Sequence, residues 1–130
     1  MEPELKREMV GWAEEIIDRA KGHRNQKSQL QNLLQITTEE SERLVLKNYL
    51  DYQAARKETG QFWEPIHEKV IQRFGDIEKA LVAAEANTPE TRSYAFQHFC
   101  GYMIRRYVFV SESMRDKSSH GRGRGKGGRR

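Results

Sequence analysis

Cysteine occurs once in this sequence, at position 100, so the chain cannot close a disulfide within itself, and a reducing compartment suits it best. Long apolar runs are also missing: no stretch approaches the roughly 20 residues that carry a helix across a bilayer. The opening residues, Met-Glu-Pro-Glu-Leu-Lys, are too polar to read as a signal peptide. The expectation is a cytoplasmic protein with no membrane partner. Only three prolines interrupt the chain, which leaves room for helices of ordinary length.

The constellations that carry catalysis or metal binding are equally scarce. His23, His67, His98 and His120 are scattered, and none stands at metal-ligand spacing from a cysteine or another histidine. His98 and Cys100 are close in sequence but point in different directions on a helix, so they read poorly as a base and a nucleophile. Cys100 reads instead as a small core hydrophobe. The adjacent acids Glu14-Glu15 and Glu39-Glu40 point apart on a helix and read as solvated or first-turn residues. No glycine loop precedes a helix in the manner of a phosphate cradle. No cofactor, metal or catalytic residue is expected.

What the chain does have is charge. Hydrophobic residues make up 36% and charged residues 32%, a balance that suits amphipathic helices around a modest core. The net charge of +4 is unevenly spread. Lys117, Arg122, Arg124, Lys126, Arg129 and Arg130 close the chain with no acid among them, which leaves 17 basic against 19 acidic residues in positions 1–116. The basic character therefore belongs to the terminal string "HGRGRGKGGRR", and the preceding body is slightly acidic. Nucleic-acid binding by that body needs a local patch rather than a general field.

Apolar spacing predicts an all-α fold: a compact bundle of about five helices over residues 1–116, followed by a disordered Arg/Gly tail over 117–130. Leu5, Met9, Trp12, Ile16 and Ala20 share one helical face, with Pro3 in the first turn and Gly22 as a stop. Ser28 can cap a second helix carrying Leu30, Leu33 and Leu34. Thr37 and Glu40 have capping-box spacing, so a third helix is expected to start there and to turn Val45, Leu46, Tyr49, Leu50 and Gln53 inward. A fourth runs from Trp63 through Ile66, Val70, Phe74, Ile77, Leu81 and Ala84, with Pro65 near its start and Gly75 as a possible bend. Thr88 and Pro89 begin the last, which is expected to reach about Met114 and to hold "YVFV" as helix.

Basic residues stand at Arg24, Lys27, Arg56, Lys57, Arg105 and Arg106, the last two among Tyr102, Tyr107 and Phe109. Cations interleaved with aromatics suit a nucleic-acid groove. On this segment alone the simpler reading is favoured, in which the aromatics are core and the arginines snorkel from it.

The stretch "SQLQNLLQITTEESERLVLKNYLDYQAAR" resembles the small helical subunit of type III CRISPR effector complexes, the Csm-type small subunit. The resemblance rests on Ser28-Gln29-Leu30-Gln31-Asn32, on Asn48-Tyr49-Leu50-Asp51-Tyr52-Gln53 and on Arg56. A later run, "HFCGYMIRRYVF", resembles the family's late helix through Gly101, Tyr102 and Arg105, so that the likeness covers roughly residues 27–110. One position departs: Gln31 stands where the family pattern has arginine, which keeps a hydrogen bond and loses a charge.

The resemblance implies a non-catalytic subunit that stacks with other copies of itself along a ribonucleoprotein filament involved in antiviral defence. Its partners would be larger CRISPR effector subunits and the guide RNA–target RNA duplex. The candidate RNA contacts are Lys27, Gln31, Asn32, Arg56, Lys57, Arg105 and Arg106, with Arg122, Arg124 and Lys126 of the tail. They are expected to touch phosphates and sugars, since the guide reads the target by base pairing. Two other readings stay open: a free-standing helical RNA-binding module or chaperone that uses its basic tail, and a helical adaptor without nucleic acid. The tail itself is either a tether for a polyanion or without a role.

Overall fold

The computed structural model describes residues 1–20 and 25–125, with side chains described as far as Glu112. The described residues form helices and no strand. The helices are α1 (Pro3–Arg19), α2 (Lys27–Thr37), α3 (Arg43–Ala55), the single turn α4 (Gly60–Trp63), α5 (His67–Ala83) and α6 (Pro89–Gly125). The central element is α6, which packs against α1, α2 and α5, while α3 lies against α4 and α5.

One continuous core runs through the helices. Met9 and Ile16 of α1, Leu30 and Leu33 of α2, and Leu46 and Leu50 of α3 are fully buried. Phe62 and Trp63 of α4, Phe74 of α5, and Phe96 and Phe99 of α6 complete it. Phe74 meets Phe96 and Phe99 at centroid separations of 4.6 and 5.8 Å, and Phe62 meets Tyr107 edge-on at 6.2 Å. Such pairs add to the burial of their area and fix how α4 and α5 sit on α6.

Several sequence expectations hold. Pro3 opens α1, and Pro89 opens α6 behind Thr88, whose Oγ1 accepts the Thr91 N–H at 3.1 Å. "YVFV" is helical, and Gln53 and Cys100 are buried. The expectation of a tail over 117–130 lies beyond the described side chains, and residues 126–130 lie outside the described residues altogether. Helix α6 continues past Met114 to Gly125. The proposed stop at Gly22 also lies outside the described residues.

Other expectations are corrected. The Thr37–Glu40 capping box does not form, because Thr37 is the last residue of α2 and its Oγ1 donates back to the Leu34 carbonyl at 2.7 Å. Glu40 instead accepts the backbone N–H of Glu42, the residue that precedes α3. Ser28 is no cap either; α2 starts one residue before it, after Gln26. Val45 is 48% exposed, since α3 is covered on only one side and its buried residues are Leu46, Leu50 and Gln53. Pro65 falls in the turn between α4 and α5, so the single expected helix is two. Helix α5 runs without interruption through Gly75. Ala84, the residue after α5, is exposed.

Arginines hold parts of this frame. Arg92, 9% exposed, donates to the Ser41 carbonyl and Asn87 Oδ1 and reaches the Glu42 carboxylate, tying the α2–α3 connection to the first turns of α6. Arg73 stacks 4.7 Å over Trp12 and pairs with Asp76 and Glu15, which clips α5 to α1.

Candidate nucleic-acid interface

The sequence-derived contacts fall in three places. Lys27, Gln31 and Asn32 are exposed on α2, because Leu30 and Leu33 take the opposite side into the core. Arg56 follows the last residue of α3, with Lys57 exposed beside it. Its guanidinium lies 5.8 Å over the ring of Tyr52, 3.4 Å from Glu58 Oε1 and 3.5 Å from Gln53 Oε1. Burial pushes the Tyr49 phenol up from its ordinary pKa, and the nearby Arg56 charge pulls it part of the way back.

The tertiary fold gathers these places at one end of the bundle. The Gln26 N–H donates to the Tyr107 hydroxyl at 3.0 Å, which sets the start of α2 against the turn of α6 that carries Arg105 and Arg106. Phe62 of α4 packs on the same Tyr107, and Trp63 Nε1 donates to Gln29 Oε1 of α2. The loop bearing Arg56 and Lys57 leads directly into α4, with the Gly60 N–H donating to the Arg56 carbonyl at 2.7 Å.

Arg105 and Arg106 part company here. Arg105 is exposed, and its guanidinium lies 5.8 Å over the Tyr102 ring with no carboxylate partner among the described residues. Arg106 is taken up by Asp18 of α1, Nε to Oδ1 and NH2 to Oδ2, each at 3.0 Å. Those hydrogen bonds raise the guanidinium pKa; burial opposes them, and the Asp18 and Glu14 charges add to the rise. Its guanidinium is therefore engaged by a carboxylate of the fold, in a pair that remains partly open to solvent. Arg122, Arg124 and Lys126 lie beyond the described side chains.

Sequence reading missed a feature of α6. Tyr94, His98, Tyr102, Arg105 and Phe109 recur at steps of four, four, three and four, which places them along one strip of the helix. Tyr94 is 52% exposed, and Phe109, expected in the core, is 60% exposed. Ring centroids of Tyr94 and His98 are 4.3 Å apart, and those of His98 and Tyr102 6.3 Å. The available signal was the absence of any acid from Thr91 to Ser111 in an otherwise acid-rich chain.

Chemistry of other kinds finds little support. Cys100 is fully buried, and burial pushes its thiol up to about 12, partly countered by a hydrogen bond with Thr37. A thiol held protonated and away from solvent is a poor nucleophile near neutral pH. His67 Nε2 lies 3.4 Å from Asp51 Oδ1 while Nδ1 faces the Trp63 carbonyl at 3.1 Å. Among the described residues, no group of His, Cys, Asp and Glu could hold a metal ion, and no helix is long and apolar enough to cross a membrane. No family model, curated protein or solved structure matches this chain.

Proposed function

We propose that this chain is a non-catalytic, RNA-contacting small subunit of a type III CRISPR ribonucleoprotein. In this reading it stacks with further copies along the filament, beside the larger subunits, and contacts the backbone of the guide–target duplex. The observation that carries the reading is the placement of the polar and aromatic residues within the resembling stretches, whose Leu30, Leu50 and Gln53 are buried. Gln31 and Asn32 of α2, Asn48 and the 62%-exposed Tyr52 of α3, and Arg105 of α6 all stand at the surface, and Arg56 covers Tyr52. The fold does not need these side chains for its core, so a pattern of them makes better sense as contacts to something outside. The slightly acidic body supplies no strong field, so RNA is held by local contacts, and repetition of these contacts along the filament adds to the affinity of each copy.

The test is recovery of the tagged protein from its host. Larger effector subunits and a short guide RNA are expected to come with it, and a CRISPR array is expected beside its gene. Arg56→Ala and Arg105→Ala are expected to lower target-RNA retention by the recovered complex while leaving the helical circular dichroism signal intact. Recovery of the protein alone, without RNA or larger subunits, overturns the assignment.

A further inference from the structure

We infer that the strip Tyr94–His98–Tyr102–Arg105–Phe109 on α6 is a stacking platform for unpaired bases of single-stranded RNA. The inference rests on the RNA-contacting reading above and adds the kind of strand and the surface it uses. From Tyr94 to Phe109 the strip extends about 22 Å along the helix axis at 1.5 Å per residue. That length accommodates several nucleotides of an extended strand.

Three observations select the occupant. The strip presents π-surface along the helix: Tyr94 and His98 with centroids 4.3 Å apart, the half-buried Tyr102 a further 6.3 Å on, and at the far end Phe109, which carries the Arg106 guanidinium 5.2 Å over one face and is still 60% exposed. Every base has a π-face, so such a row accepts bases without regard to sequence. The strip is also cationic: Arg105 lies over Tyr102 without a carboxylate partner among the described residues, and α6 has no acid between Glu90 and Glu112. A protein surface docking here would find no acid to satisfy its own cations, whereas a phosphate backbone would find Arg105. Finally, His98 Nδ1 faces the Tyr94 carbonyl at 3.0 Å and must donate to it, so Nε2 of the neutral ring remains an acceptor with no partner among the described residues. It suits a base N–H or a ribose hydroxyl.

A paired duplex buries its bases against each other and offers no free face to these rings, which separates this platform from backbone contacts made by Lys27 or Arg56. The experiment uses the full chain and a 15-nucleotide RNA carrying 2-aminopurine, free or annealed to its complement. The single strand is expected to bind at least ten-fold tighter than the duplex, with a change in 2-aminopurine fluorescence. Tyr94→Ala and Tyr102→Ala are each expected to weaken the single strand about ten-fold. Tyr102→Phe is expected to retain the affinity, because it keeps the ring. Tyr94 is exposed and Tyr102 half-buried, and circular dichroism verifies that the three variants fold.

Equal binding of both forms, or Ala variants with unchanged affinity, overturns the platform. So does a wild-type chain that fails to bind the single strand. The same holds if the Ala variants lose a protein partner while their RNA affinity stays as it was. Co-purification of a guide-RNA complex decides the broader reading separately, so that a recovered complex with unaffected tyrosine variants would leave the subunit assignment standing alone.

Discussion

Arg106 grips Asp18 across 88 residues of sequence, with both carboxylate oxygens engaged at 3.0 Å, while its neighbour Arg105 reaches only an aromatic ring. The two adjacent arginines should therefore respond oppositely to substitution. Arg106→Ala is expected to lower stability by about 1 kcal/mol, a figure kept small because both partners remain in contact with solvent. Arg105→Ala is expected to leave the urea midpoint within about 0.5 kcal/mol of wild type and to weaken RNA binding. A double-mutant cycle with Asp18→Asn checks the pair; no coupling between positions 18 and 106 would remove its structural role.

Glycines at three positions of this fold stand in different surroundings. A Cβ at Gly60 would lie 2.7 Å from the Ala54 carbonyl oxygen, a contact with rigid backbone at the entry to α4. Gly60→Ala is expected to cost about 2 kcal/mol, since the backbone itself has to shift. Gly11 and Gly101 lie inside α1 and α6 with nothing within 4 Å of such an atom. Alanine there is expected to raise stability by about 0.5–1 kcal/mol through helix propensity. Thermal melts of the three variants would read both signs.

Helix α5 ends in a left-handed residue that is not glycine. Glu85 has φ 55°, its N–H bonds the Val82 carbonyl, and the Ala86 N–H bonds the Leu81 carbonyl, the paired pattern of a Schellman motif. Glu85→Gly is expected to gain about 1 kcal/mol by relieving the left-handed conformation at an exposed site. A lower melting temperature in this variant would show that the Glu85 side chain supports the turn in some further way.

The Cys100 thiol is raised to about 12 from an ordinary 9.0 because ionisation would place a charge in the core. The unfolded chain loses this proton first as pH rises. The stability linked to the thiol is therefore fully present below about pH 9 and declines as pH climbs toward 12. An aromatic disulfide reagent at pH 8 is expected to react with the native protein only at the rate of opening, and at once in denaturant. Immediate native reaction would contradict the burial.

The residues themselves determined much of this architecture. Apolar steps of three and four marked the helical faces of α1 and α5, Thr88-Pro89 marked the start of α6, and "YVFV" was helical for want of a strand to pair with. These are local signals, set within a turn or two of chain. Periodicity shows that a helix has an apolar side, but not how much of it a neighbour will cover. Val45 therefore read as buried and stands exposed, because α3 packs chiefly against α4 and α5 and Val45 lies off that contact. The same limit applied to α6, where Phe109 read as core with Tyr107 and lies at the surface while Tyr107 is buried. Which arginine is spent on the fold was likewise decided in three dimensions. Arg105 and Arg106 are chemically alike and adjacent, but successive residues on a helix are turned about 100° apart. That rotation turns Arg106 toward Asp18 of α1 and leaves Arg105 over Tyr102, a division created only when α1 and α6 pack together.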